Sequence, residues 1–258
     1  MKRTHQQDDH SLDVPLINKA DLGAPVNWLL SGWQDFISMP LKSGLYGLIF
    51  VLLGYGVIAA SWNSPILILT FITGFFLVAP FLGLGLYHLS YQREQQLQIN
   101  LGASLLAFLE HKFDMGLLAV FHGIIMVIWI RVTTLISGFY LSQSGISIAG
   151  LTEQLFNSPD GVGIVLIFFA SGGVLAALVF IVSVISWPML LESKSSVINA
   201  FATSLKVVSE NKRVMLVWAT LITGLMILGI VTGLLGLLVV MPVLGHASWH
   251  AYRDLVVK

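Results

Sequence analysis

The sequence contains no cysteine. That excludes disulfides, thiol nucleophiles, thiolate-held zinc and cysteine-ligated iron–sulfur clusters, and leaves the redox compartment open. Charge is nearly as scarce: Asp, Glu, Lys and Arg make up 10% of the 258 residues, against about 25% in an average soluble domain. The 13 basic and 13 acidic residues cancel and form no basic block, so no nucleic-acid partner is expected. The polar opening stretch, MKRTHQQDDH and onward to Pro25, lacks the apolar core of a cleavable signal peptide, so the first membrane span is expected to direct insertion. There is no Walker loop, nucleophile elbow, HExxH or carboxylate pair. The expectation is therefore a non-enzyme with no catalytic residue, no metal site and no cofactor.

What the sequence has is apolar length. Hydrophobic residues make up 56% and the mean hydropathy is +0.87, which places the chain in a lipid bilayer. Residues 1–27 read as a polar tail in which His5 and His10 are solvated, and residues 28–258 as a single membrane domain. Trp28 to Ile37 sets Leu29, Trp33 and Phe36 on one helical face against Ser31, Gln34 and Asp35, the pattern of an interfacial helix. Gly44 to Ser61 and Ile66 to Ser90 are each long enough to cross a hydrocarbon core of about 30 Å, with a polar turn between them. Gln96 to Glu110 is a second amphipathic stretch, with Leu97, Leu101, Leu105 and Phe108 on its stripe. Spans follow from Met115 to about Tyr140 and from Gly161 to Leu191. Ser195 to Glu210 gives a third in-plane pattern, with Val197, Phe201, Leu205 and Val208 opposite Asn199, Thr203, Lys206 and Glu210.

The last apolar run, Val214 to Gly245, is too long for one straight crossing. Broken near Gly229 to Gly236 it forms a hairpin, which places every Lys and Arg except Arg131 on one side of the membrane. A single tilted helix would instead give five spans. The expected fold is all-α, with six transmembrane helices as three hairpins, each preceded by a short interfacial helix. The units are 28–94, 96–192 and 195–254, with both termini cytoplasmic.

An internal echo supports repeated units. Pro80, Gly83, Tyr87 and His88 have the spacing of Pro242, Gly245, Trp249 and His250, and Pro188 falls late in the middle unit. The C-terminal segment PVLGHASWHAYRDL, together with WPMLLES and the in-plane helix after it, resembles the bacterial integral-membrane family of domain of unknown function 2189. The likeness extends over nearly the whole chain after Trp28, is most specific in the last twenty residues and is weakest from Thr133 to Gly163. It implies a bacterial inner-membrane protein of about six helices and brings no activity with it.

Few residues could carry chemistry. His246 and His250 share a helix face at a spacing that could hold a metal or haem, and His88 and His122 are weaker candidates. The competing reading makes His246, Trp249, His250 and Tyr252 a polar and aromatic cuff at the interface. His122 lies inside a span, where it is either a satisfied packing residue or part of a proton path. Arg131 is the one permanent charge inside an apolar run, and either anchors at the outer interface, pairs with Glu153 or Asp160, or lines a pathway. The leading expectation is an accessory or assembly protein that contacts lipid and other inner-membrane subunits. A small-solute or ion transporter and a haem- or metal-binding membrane protein are the alternatives.

Overall fold

The computed structural model describes residues 14–109, 111–140, 161–193 and 195–257, and its ordered elements are helices. In chain order they are α1 (Ala24–Ser38), α2 (Pro40–Ala60), α3 (Pro65–Leu82), α4 (Leu84–Glu94) and α5 (Leu101–Leu105), the last followed by a 3-10 turn at Ala107–Leu109. Then come α6 (Lys112–Tyr140), α7 (Gly161–Ser183), α8 (Ser186–Glu192), α9 (Val197–Glu210), α10 (Lys212–Val231) and α11 (Leu237–Leu255). Local sequence explains the boundaries. Proline sits in the first turn of α1, α2 and α3, where its missing N–H costs no helical bond. Side chains of Asn100 and Ser196 cap α5 and α9. The last apolar run is broken at residues 232–236, where Gly233 and Leu234 both have positive φ and Thr232 Oγ1 accepts from the Gly236 N–H at 2.8 Å.

Among the described residues, four helices are long and apolar enough to cross a membrane: Pro40–Ala60, Lys112–Phe139, Gly161–Glu192 and Lys212–Val231. A fifth forms if Ile66–Phe75 and Leu77–Glu94, bent by 45°, make one span. The bend falls at Phe76, four residues before Pro80, whose ring displaces that carbonyl and cannot donate to it. In α11 the corresponding Pro242 leaves the Leu238 carbonyl without its helical partner, and that carbonyl faces the backbone of Gly47 on α2. A Cβ at Gly47 would overlap it. The two echoing segments therefore differ in form: the first breaks between α3 and α4 at Gly83, while α11 runs on through Gly245.

The core is concentrated at one end of the spans. There α4 is buried from Leu84 to Ser90, and α11 packs along α1, α2, α4, α8 and α10. Residues 16–18 pair with 255–257 beside it, through an Ile17–Val256 bridge and an Asn18 N–H to Leu255 carbonyl bond of 2.9 Å.

In three amphipathic stretches the residues that the protein covers differ from the polar and apolar faces read from sequence. In α1 the buried face is Trp28, Gly32 and Asp35, while Trp33 turns outward with Val26, Leu30 and Ile37. An apolar stripe at helical spacing marks one side of a helix but cannot say whether lipid or protein covers it. Gln96 to Glu110 is not one helix: residues 96–100 are irregular, Leu97, Leu105 and Phe108 are exposed, and Ser104 is buried. The Tyr46 hydroxyl, 2.7 Å from the Ser104 hydroxyl, draws that polar side inward. In α9 the stripe divides, with Val197 buried and Leu205 exposed, and Thr203, on the polar side by sequence, is buried with Ala200, Ser204 and Val207.

Candidate functional site

The polar residues that come together are drawn from four helices, two consecutive near the start of the chain, one following α3 and one near residue 250. Asp35 of α1 is 2% exposed, and its carboxylate is the acceptor around which the others converge. Arg93 of α4 forms an ion pair with Oδ1. Oδ2 accepts from the Ser90 hydroxyl at 2.5 Å and lies 3.0 Å from His250 Nε2. The Ser90 Oγ is also 2.7 Å from His246 Nδ1, and the far nitrogen of that ring, Nε2, is 2.9 Å from Ser43 Oγ on α2.

Proton counting fixes the polarity of this line. A serine hydroxyl has one proton. Ser90 gives its proton to the carboxylate, so it must accept from His246 Nδ1–H. Neutral His246 then has Nε2 free as an acceptor for Ser43. The order is Ser43 to His246 to Ser90 to Asp35, with His250 donating to Asp35 from the other side. A hydroxyl on an imidazole that is oriented through an acid resembles the hydrolase arrangement, but Ser43 is 0% exposed, so no substrate can reach its oxygen. The arrangement works as a fastening. Each helix contributes a group whose burial without the others would cost about 1–3 kcal/mol, and more for the charge.

Burial alone would raise the Asp35 pKa, but the hydrogen bonds from His250 and Ser90 and the nearby imidazoles outweigh it and hold the carboxyl below its ordinary value. Burial pushes His246 down to about 4, against the opposing pull of Asp35.

A second group adjoins the first. Glu94 accepts from Trp249 Nε1 at 2.8 Å and pairs with Arg253 at 2.7 Å, while Glu192 accepts from the Tyr252 hydroxyl at 2.6 Å. Burial, followed by Glu192, raises the Tyr252 pKa. Trp28 Nε1 donates to Asp254 at 2.9 Å. The ends of α4, α8 and α11 and the start of α1 are thereby tied together.

His246 and His250 share a face, as their spacing requires, and turn it toward Asp35 rather than outward. Trp249 is 0% exposed and Tyr252 is buried, so these rings pack within the protein. Pro80, Gly83 and Tyr87 line a cavity of about 100 Å³ with Met241, Leu244, Gly245 and Ser248, and Pro242 is buried beside it in α11. The two echoing segments thus pack against each other, and Gly245 gives room for Leu86. His88 is buried, stacks on Tyr91 and lies 3.2 Å from the Gln92 amide. His122 bonds the Leu118 carbonyl through Nδ1 at 2.8 Å, which leaves Nε2 to accept from Ser183 at 2.9 Å. Arg131 is on the outward face of α6 between Val127 and Leu135; Glu153 and Asp160 lie outside the described residues. Among the described residues no group of three or more His, Asp or Glu is placed to hold a metal ion.

The segment from α3 through α8 carries a similarity to a known family. Residues 67–192 match the model of DUF2189, a family described as a predicted integral membrane protein. No curated protein and no solved structure matches. The DUF2189 match includes the middle of the chain and stops at Glu192, so it leaves out the last twenty residues, where the likeness was expected to be strongest. Ser90 and Arg93 lie within the DUF2189 segment, whereas Asp35, Ser43, His246 and His250 lie outside it. The cluster therefore joins the matched segment to the helices on either side.

Asp35, Ser43, Ser90 and Arg93 were not singled out by sequence. A signal for Asp35 existed. It is the only charge in α1, and it shares a helix face with Gly32 and Trp28 on the side away from Val26, Leu30 and Ile37.

Proposed function

We propose that this chain is a non-enzymatic accessory or assembly protein of the bacterial inner membrane, acting through helix–helix contacts with other membrane subunits. The observation that carries the reading is the contrast between the two zones. One end is fastened by buried hydrogen bonds, while only 11% of the Gly161–Glu192 span window is buried within the chain. Leu166, Phe169 and Val174 on α7, and Val120, Ile124 and Val127 on α6, face outward. Gly163 and Gly173 on α7 have open space around them, which permits close approach of another helix. The cavities between the spans are small, about 100 and 20 Å³, and a hollow of about 670 Å³ lies at the fastened end beside Glu192, Ser196, Asn199 and Tyr252. Both ring nitrogens of His246 are engaged, which weighs against haem or metal ligation.

We read the membrane arrangement as six spans in three hairpins built on a repeated unit, with both termini cytoplasmic. The Asp114 carboxylate accepts from the Val197 N–H at 2.9 Å and the Asn211 side chain accepts from the Ala20 N–H at 3.0 Å. These bonds put the starts of α6 and α10 at the same end as the α4 and α11 termini. Lys112, Lys212, Arg213, Arg93 and Arg253 then share one side, as the positive-inside rule requires. Purification in mild detergent after in-membrane cross-linking tests the function: defined partner subunits joined to α6 and α7 are expected. Solute flux in proteoliposomes of the chain alone, with no cross-linked partner, would replace this reading with transport.

A further inference from the structure

α1 has its charge inside and its apolar side chains outside. Asp35, Gly32 and Trp28 are buried against α11, α4 and α10, with Gly32 so close to Val243 and Ala247 that a Cβ would collide with their backbone. Val26, Leu30, Trp33 and Ile37 are each about half exposed, at 50, 55, 46 and 54%. Asn27, Gln34 and Ser38 are exposed as well. At about 100° per residue these sets occupy three separate sectors: the apolar stripe spans about 60°, the polar set follows about 90° away, and the protein face lies opposite the stripe. A helix between protein and water needs only two sectors.

We propose that α1 is a bilayer-interface helix with three faces, one to the protein, one to water and one to lipid, and that the lipid headgroup and upper acyl region covers Val26, Leu30, Trp33 and Ile37. The next helix is a membrane span with an exposed apolar stripe of its own, Leu41, Leu45, Leu48 and Leu52, at the same three- and four-residue steps. One occupant can meet both. α1 and α2 together would reach about 55 Å at 1.5 Å per residue, against a hydrocarbon core of about 30 Å, so α1 cannot simply extend the span. The chain breaks between them at Met39, with φ −140° and ψ 55°, followed by Pro40. That break lets α1 turn toward the membrane surface while its stripe stays on the lipid side. An exposed Trp on that stripe suits headgroup depth. The proposal does not depend on partner subunits and stands or falls separately from the accessory role.

The natural absence of cysteine allows a direct test on the full chain in phospholipid vesicles. Single variants Leu30→Cys, Ile37→Cys, Asn27→Cys and Gln34→Cys are labelled with a small fluorophore, and Leu52→Cys serves as the span control. All five positions are exposed, so folding is not at stake. Quenching by shallow nitroxide lipids is compared with quenching by iodide present on both sides of the membrane. Probes at 30 and 37 should favour the lipid quencher over iodide by about threefold or more relative to probes at 27 and 34. Equal iodide access at 30 and 34 would put the stripe in water and overturn the proposal. Protection of 30 and 37 from both quenchers would also overturn it, because another protein or a second copy would then cover the face.

Discussion

The carboxylate of Asp35 and the imidazole of His246 are 4.0 Å apart, and one hydroxyl, that of Ser90, bonds to both. Neither group has a water-exposed alternative. Ser90→Ala should therefore lower stability by about 1–3 kcal/mol, the cost of leaving buried polar atoms unmet. Denaturation followed by tryptophan fluorescence in detergent would measure it, and a change indistinguishable from zero would mean that the line does not fasten the helices.

The two sides of the ion pair should not be equivalent. Asp35→Asn removes the buried charge and leaves Arg93 and His250, 44 and 30% exposed, to be screened by water, so the loss is that of the hydrogen bonds the amide cannot accept, about 1–3 kcal/mol. Arg93→Gln instead leaves the 2%-exposed Asp35 carboxylate without its cation, and the larger loss, about 3 kcal/mol, is expected of it. Equal losses in the same assay would show that the interaction is set by packing and not by charge.

Acid should loosen this end of the protein before it affects the spans. Burial lowers the His246 pKa to about 4 from an ordinary 6.5. Between those values the unfolded chain takes up a proton that the folded chain refuses, so falling pH favours unfolding. Stability is full above about pH 6.5 and declines toward pH 4 by on the order of 3 kcal/mol. Asp35, with its pKa lowered from 3.8, adds to the loss below that range. Thermal midpoints recorded from pH 7.5 to 4 should fall in the wild type, while His246→Gln should show a lower but flatter profile above pH 4.5.

Much of this was open to reading from the sequence, and the omissions share a cause. Apolar length revealed the spans at Pro40–Ala60 and Lys112–Phe139, and the excess length of the last run revealed its interruption at 232–236. These depend on local composition. Asp35 escaped because a carboxylate on a helix looks the same whether water or Arg93 faces it, and Arg93 is 58 residues away. Thr203 misled for the complementary reason, since a small polar side chain that bonds its own helix, here the Asn199 carbonyl, can be buried as readily as solvated. The four-residue spacing of His246 and His250 did show that they act together, but a spacing cannot reveal that the third group is a carboxylate from α1.

Two glycines of α2 give a test of helix contact with its own control. Gly47→Ala places a methyl against the Leu238 carbonyl that Pro242 frees, and a loss of about 1–3 kcal/mol is expected. Gly56→Ala meets no neighbouring atom and should be neutral or stabilising by up to about 1 kcal/mol. Parallel unfolding curves for the two variants would show whether α2 and α11 approach as closely as described.

Reporter fusions address the orientation. Fusions after residues 20, 95 and 200 should report the cytoplasm and one at Gly150 the outside. An external signal at 95 would invert the first hairpin and remove the charge argument for the whole topology.

Asp35 and His250 are 215 residues apart. At a synthesis rate of about 5–20 residues per second, roughly 10–40 s pass between their appearance on the ribosome. During that interval α1 is in the membrane or beside it, and its carboxylate has Ser90 and Arg93 as its earliest partners within the cluster. The hydrophobic spans can enter the bilayer one after another, but this end of the molecule cannot close until α11 has been made and inserted. Closure of this end therefore depends on α11. A chain stalled before it would hold Asp35 on Ser90 and Arg93 alone, with the His246 and His250 positions unfilled.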